Sequence, residues 1–180
     1  MKRIKNNKEI EYTKKTYNGK VQVKTYTNRV KLGLWASEKL IFSKYINKTD
    51  NILDIGCGGG RTTFSLKEMG YNHLIGLDLS NKLISFARKY AKKLNIGLSF
   101  IEGDASSLSF KDASFDICIF SYNGLMSIPN KKIRYKVMKE VYRILKPNGK
   151  FIFTTHDRDD PSHQEYWKKE KLFAFSHCYF

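Results

Sequence analysis

Residues 52–61, ILDIGCGGGR, restrict the folds open to this chain more than any other stretch. Ile52, Leu53 and Ile55 supply the apolar, β-branched bulk of an interior parallel strand, and Asp54 sits just before the first of four closely spaced glycines, Gly56, Gly58, Gly59 and Gly60. Glycine tolerates positive φ and lets backbone approach a ligand without a Cβ in the way, so a run this dense would be an entropic waste in a plain turn. The pattern predicts a buried strand entering a ligand loop. A helix over residues 61–69 follows, stopped by Gly70 in a left-handed conformation.

Spacing selects the ligand. A dinucleotide fingerprint, G-x-G-x-x-G counted from Gly56, needs its third glycine at position 61, where Arg61 stands. The run instead reads D-x-G-x-G-x-G, from Asp54 through Gly56 and Gly58 to Gly60. With this motif the chain resembles the class I S-adenosylmethionine-dependent methyltransferases. The resemblance implies a Rossmann-like α/β fold, an open parallel sheet with helices on both faces, and S-adenosylmethionine (SAM) as cofactor. It also implies that the glycine loop, with Cys57 in it, lies against the methionine part while Asp54 balances its ammonium.

Further matches lie downstream. Residues 73–79, HLIGLDL, read as a second buried strand ending in Asp78, and an acid closing a strand at the carboxyl edge of such a sheet can accept both hydroxyls of a ribose. Leu79 follows it. A helix over residues 81–94 leads to a third strand at 98–102, after which Asp104 and Ala105 match the family's adenine contacts. Residues 115–121 form the fourth strand, whose exit through Ser121 should border the transferable methyl group. A helix over 129–145 and a fifth strand at 151–155 complete a resemblance that runs from about residue 51 to 156.

The acceptor is less determined. The Asp/Asn-Pro-Pro-aromatic signature of amino methyltransferases is absent at the fourth strand, and no Pro-Cys pair offers the thiolate of the carbon-5 enzymes, so base methylation loses ground. Tyr122, Asn123 and His156 are the candidates for orienting or deprotonating an acceptor. A small molecule is the expected acceptor. RNA or protein methylation, and cofactor binding without catalysis, are the alternatives.

At 180 residues the chain is one domain, expected as a basic extension with a helix at 1–50, a cofactor core at 51–160 and a short tail at 161–180. In the first part, VQVKTYT alternates like a strand or an extended segment, residues 30–46 read as a helix, and Trp35 and Tyr26 are candidates to cap the cofactor's methionine end. The net charge is +16, but 26 of 33 basic residues are lysine, whereas phosphate and base readers lean on arginine, so nucleic acid is not favoured. Cys57, Cys118 and Cys178 show neither disulfide nor zinc spacing, and no metal is expected. Without a signal-type apolar run or a membrane span, the cytoplasm is the expected compartment. The last twenty residues suffice for a helix over 164–172 but not for the final antiparallel strand pair of related folds. The expectation is either a truncated form or an edge protected by a partner, such as a second copy of the chain.

Overall fold

In the computed structural model residues 2–155 are described, with side chains from residue 8 onward. Five strands, β1 (Ile52–Ile55), β2 (Leu74–Asp78), β3 (Ser99–Glu102), β4 (Phe115–Phe120) and β5 (Leu145–Phe153), form one parallel sheet in the order β3-β2-β1-β4-β5. The chain builds outward from β1 through β2 to β3, then returns to the other side of β1 for β4 and β5. The reversal lies between β1 and β4, the place where open α/β sheets bind ligands at their carboxyl ends.

Alternation along β1 explains the layering. Leu53 and Ile55 join the core that carries Val137, Val141 and Ile144 of α6 (Lys131–Ile144). Ile52 faces the opposite side, packing with Leu66 of α4 (Arg61–Glu68) and Phe42 of α3 (Ala36–Tyr45). Ile84, Ala87 and Ala91 of α5 (Asn81–Lys93) extend that second layer against Phe64 and Phe100. Helices therefore cover both faces, and strands buried on two sides need no polar alternation. On α6, Arg143 donates to the carbonyls of Leu108 and Phe110, and Glu140 accepts from Leu108 N, which ties the connection before β4 to the helix. That guanidinium holds the Glu140 carboxyl below its ordinary range.

The N-terminal part departs from the sequence reading. Residues 20–29, which include the alternating VQVKTYT, form a helix, α2 (Lys20–Arg29), after a first helix, α1 (Lys2–Tyr17). Tyr26 and Val30, one helical turn apart, both meet the glycine loop, and that contact goes with the helical conformation of this stretch. The single helix expected over 30–46 is broken. A 3-10 turn at Val30–Leu32 ends at Gly33, whose φ of 68° is left-handed, and α3 starts only at Ala36. Strand β5 begins six residues earlier than expected, pairing Leu145 with Phe115 before an irregularity and resuming at Lys150 opposite Ile117. The remaining boundaries fall within three residues of expectation. The expected helix at 164–172 and the missing strand pair lie outside the described residues.

Candidate functional site

The carboxyl ends of β1, β2 and β4 converge on one cleft. After β1, Gly56 and Gly58 adopt φ of 65° and 57°, and a Cβ at Gly56 would stand 2.4 Å from the Phe120 ring. Only glycine fits there. Both residues line the cleft, with Asp78 and Leu79 from the end of β2, Gly103, Asp104 and Ala105 after β3, and Ser121 and Tyr122 after β4.

Asp78 organises the floor. Its Oδ2 accepts from Gly58 N at 2.8 Å and its Oδ1 from Ser80 N at 2.8 Å, so the carboxylate clamps the glycine loop to the start of α5. Each oxygen has capacity for a further donor. Burial pushes the Asp78 carboxyl above its ordinary range, against the pull of those backbone donors. Asp104 also lines the cleft while closing a turn, its two oxygens accepting from Ser106 N at 2.8 Å and Ser106 Oγ at 2.9 Å.

Asp54 is placed differently from these acids. It is 1% exposed, does not border the cleft, and accepts from Thr63 Oγ1 at 2.6 Å. Burial pushes its carboxyl up to about 7, opposed by the Thr63 hydroxyl and by Arg61. Its position is beneath the loop, bracing α4 against β1. Gly60, with φ of 95°, begins α4 behind the loop and is likewise outside the cleft lining. Cys57 faces a smaller adjoining recess, and burial raises its thiol well above the ordinary range. Cys118 lies mid-strand, raised to about 12 by burial, which leaves it without nucleophilic character at neutral pH.

Of the acceptor-side candidates, Tyr122 reaches the cleft, whereas Asn123 does not line it and donates its backbone N–H to Thr154 Oγ1 at 2.8 Å. Tyr122 and Asn123 both have φ of 56°, two successive left-handed residues that turn the chain sharply out of β4. His156 lies outside the described residues. Ser121 is 7% exposed, and its Oγ has no hydrogen-bond partner among the described residues, the kind of orphaned group that a ligand satisfies.

Sequence reasoning missed the roof. Ile10, Thr13 and Tyr17 of α1 close the cleft from above with Glu9 and with Tyr26 of α2, and Ile128, Pro129 and Ile133 form its far wall. The signal was there: positions 10, 13 and 17 recur at helical spacing. It is faint because α1 is otherwise almost entirely polar. The roof is pinned at its turn, where Asn18 Oδ1 accepts from Ser80 Oγ at 2.6 Å and Asn18 O from Lys82 Nζ at 2.9 Å. Glu9 Oε2 accepts from Asn130 Nδ2 at 2.6 Å on the opposite rim. Trp35, expected as a cap on the ligand, is 52% exposed and outside the cleft, whereas Tyr26 lines it. Burial raises the Tyr26 hydroxyl to about 12.

Among the described residues no helix is long and apolar enough to cross a membrane, and no cluster of acids, cysteines and histidines could hold a metal ion.

A family model described as a methyltransferase domain matches residues 52–149. Demethylmenaquinone methyltransferase of Lactobacillus johnsonii is 35% identical over 142 residues, covering 75% of this chain and 57% of that protein. Sterol 24-C-methyltransferase of Pneumocystis carinii is 30% identical over 128 residues, covering 67% of this chain and 33% of the other. Among solved structures, a SAM-dependent methyltransferase from Methanosarcina mazei is 32% identical, with a TM-score of 0.68 over 79% of this chain and 66% of that one. The chain thus spans 57% and 33% of the lengths of the two curated relatives.

Proposed function

The chain belongs to the methyltransferase-domain family of class I S-adenosylmethionine-dependent enzymes, and on that premise we propose that it methylates a small, largely apolar acceptor. The observation that carries the cofactor half of this reading is Asp78. It closes β2 in one cleft with Gly56, Gly58 and Asp104, each carboxylate oxygen able to take one more donor beyond its backbone N–H. The residues present fit the cofactor. Asp78 suits the ribose hydroxyls, Asp104 and Ala105 the adenine, the two left-handed glycines the methionine chain, and the orphaned Ser121 hydroxyl a polar group beside it. Asp54, held by Thr63, serves by fixing the loop from beneath.

Bound S-adenosylmethionine supplies an electrophilic methyl whose departure leaves a neutral thioether, so little acid catalysis is required. The protein's work is to orient and to exclude water. A well-aligned pair of reactants at about 3 Å gains several kcal/mol over free encounter. Tyr122, beside Ser121 at the cleft edge, stands where an acceptor would be steered. Ile10, Ile128, Pro129 and Ile133 give the far end an apolar lining, and α1 covers it from above. These features support an acceptor that enters an enclosed apolar space, in keeping with the demethylmenaquinone and sterol methyltransferases among the relatives. A base within a folded nucleic acid fits such a space poorly.

Calorimetric titration with SAM, S-adenosylhomocysteine and NAD tests the first half. Binding of both adenosyl ligands without NAD supports the reading, and binding of NAD alone overturns it. Methyl transfer from labelled SAM to a panel of quinols, sterols and amino alcohols, with RNA as comparator, tests the second. Incorporation into RNA alone would sink the small-molecule assignment.

A further inference from the structure

Three carboxylates line the cleft, and Glu9 is the one that comes from the roof. Asp78 and Asp104 spend oxygens on the loops at the strand ends, whereas Glu9 stands half-buried on α1, at the end lined by Ile10, Ile128, Pro129 and Ile133. Although the chain carries a net charge of +16, Glu9 makes no ion pair among the described residues. Its side chain has one hydrogen-bond partner there, Asn130, whose Nδ2 donates to Oε2 at 2.6 Å.

That contact is held from behind. Asn130 is the N-cap of α6, and its Oδ1 accepts from Lys132 N at 2.8 Å and Ile133 N at 3.4 Å. With the oxygen committed to the helix, the amide turns its N–H groups to Glu9. A neutral amide fixes the carboxylate without cancelling its charge, and Oε1 is left with no donor among the described residues. Two lining hydroxyls are already spent: Thr13 Oγ1 donates to the Glu9 carbonyl at 2.9 Å and Ser127 Oγ to the Asn123 carbonyl at 3.2 Å. Solvent serves Oε1 while the cleft is wet. Once an apolar acceptor displaces that water, only the acceptor itself can replace the lost donor.

Charge says which donor. The cofactor contacts proposed above run along Asp104, Asp78 and Gly58 and leave Glu9 to the acceptor, but the cofactor's sulfonium already places one cation in the cleft. A second cation would be repelled in a partly buried space, whereas a neutral hydroxyl meets no such penalty. We infer that Glu9, positioned by Asn130, selects acceptors that carry a hydroxyl at one end of an apolar body and anchors that end by accepting its hydrogen bond. This rests on the small-molecule reading above. The hydroxyl keeps its proton, and the anchor leaves the rest of the acceptor to lie toward Tyr122.

The test is calorimetric titration of the protein loaded with S-adenosylhomocysteine, using naphthol, its methyl ether and naphthylmethylamine as probes. In the wild type naphthol should bind at least about tenfold more tightly than the ether, as expected for a charge-assisted contact. Glu9→Met should bring the two within about twofold, and Glu9→Gln should keep an intermediate preference, since its amide oxygen still accepts. Asn130→Asp retains a good N-cap but sets a second acid against Glu9, and should lower the preference by at least about threefold with melting unchanged. S-adenosylhomocysteine affinity should stay within about twofold throughout. Equal binding of naphthol and ether in the wild type, or binding of neither, would overturn the inference. So would a tighter amine, which would make Glu9 a cation site, or a parallel loss of S-adenosylhomocysteine in Glu9→Met, which would give Glu9 to the cofactor. If S-adenosylhomocysteine does not bind the wild type, it is the cofactor reading that falls, and the anchor with it.

Discussion

The floor and the roof of the cleft are built on opposite principles. The floor is the end of a doubly covered parallel sheet: Leu53 and Ile55 are fully buried, Asp54 and Asp78 are held by internal hydrogen bonds, and the loop conformation depends on left-handed glycines. The roof, α1 and α2, contributes no fully buried side chain of its own helices among the described residues. It is held by polar contacts at its turn and rims, several of them exposed. Rigid cores fix geometry, and loosely held elements open locally at small free-energy cost. On the proposed function, the rigid half is the one that would hold the cofactor, and the loosely held half is the one that would admit an acceptor and release product.

The largest test of that contrast is Asp78→Ala. It removes both the clamp between the loop and α5 and the proposed ribose acceptor, and should lower SAM affinity by about 100-fold while the sheet still melts cooperatively. Loss measured by calorimetry with an intact melting transition supports a site role; a lost transition would make Asp78 a structural residue first.

Next comes the buried acid beneath the loop. The Asp54 carboxyl is raised in the fold to about 7 from an ordinary value of 3.8. A raised acid favours the fold below its unfolded pKa, and that contribution is lost as pH climbs through the folded value. The wild type should therefore lose about 2–3 kcal/mol relative to Asp54→Asn between pH 5 and pH 8, read from paired denaturant melts. Parallel pH profiles for the two proteins would mean that Asp54 ionises normally.

Gly59 sharpens the comparison from the other side, because its hydrogen faces the roof and not the ligand. A Cβ there would lie 3.0 Å from the Tyr26 carbonyl oxygen and 3.0 Å from Val30 Cγ2. Gly59→Ala should cost about 1–2 kcal/mol and speed hydrogen exchange in α2 while leaving β1 protected. Uniform loss of protection across sheet and roof would dissolve the distinction. The smallest effect is expected at the rim, where the half-exposed pair of Lys14 and Glu102 joins α1 to β3. Lys14→Ala should change stability by no more than about 0.5 kcal/mol, measured by melting at low and high salt.

The same division explains what could be read from the chain. The succession of strands and helices, the glycine loop, and the places of Asp78 and Asp104 at strand ends were legible because each arises from contiguous residues whose local pattern dictates strand, turn and helix start. Asp54 was legible as an acid in a motif, yet its partner Thr63 appears only once α4 folds back over β1. Helix α2 was misread because Val21, Val23, Thr25 and Thr27 have β-forming side chains in alternation, and contact of Tyr26 and Val30 with Gly59 outweighs that preference. The pairing of Arg61 with Glu38 joins residues 23 apart. No spacing rule announces it.

Gly59 also bears on how such a protein can change over generations or in the laboratory. Because the glycine loop is gripped from above as well as from below, a different helical cover could be grafted onto this sheet wherever it presents a backbone flat enough to meet position 59. The part of the roof contributed by Ile10 and Thr13 could then be exchanged wholesale with Asp78 and Asp104 untouched. If the proposed function holds, new substrate preference would come from replacing a part, with the cofactor chemistry inherited intact.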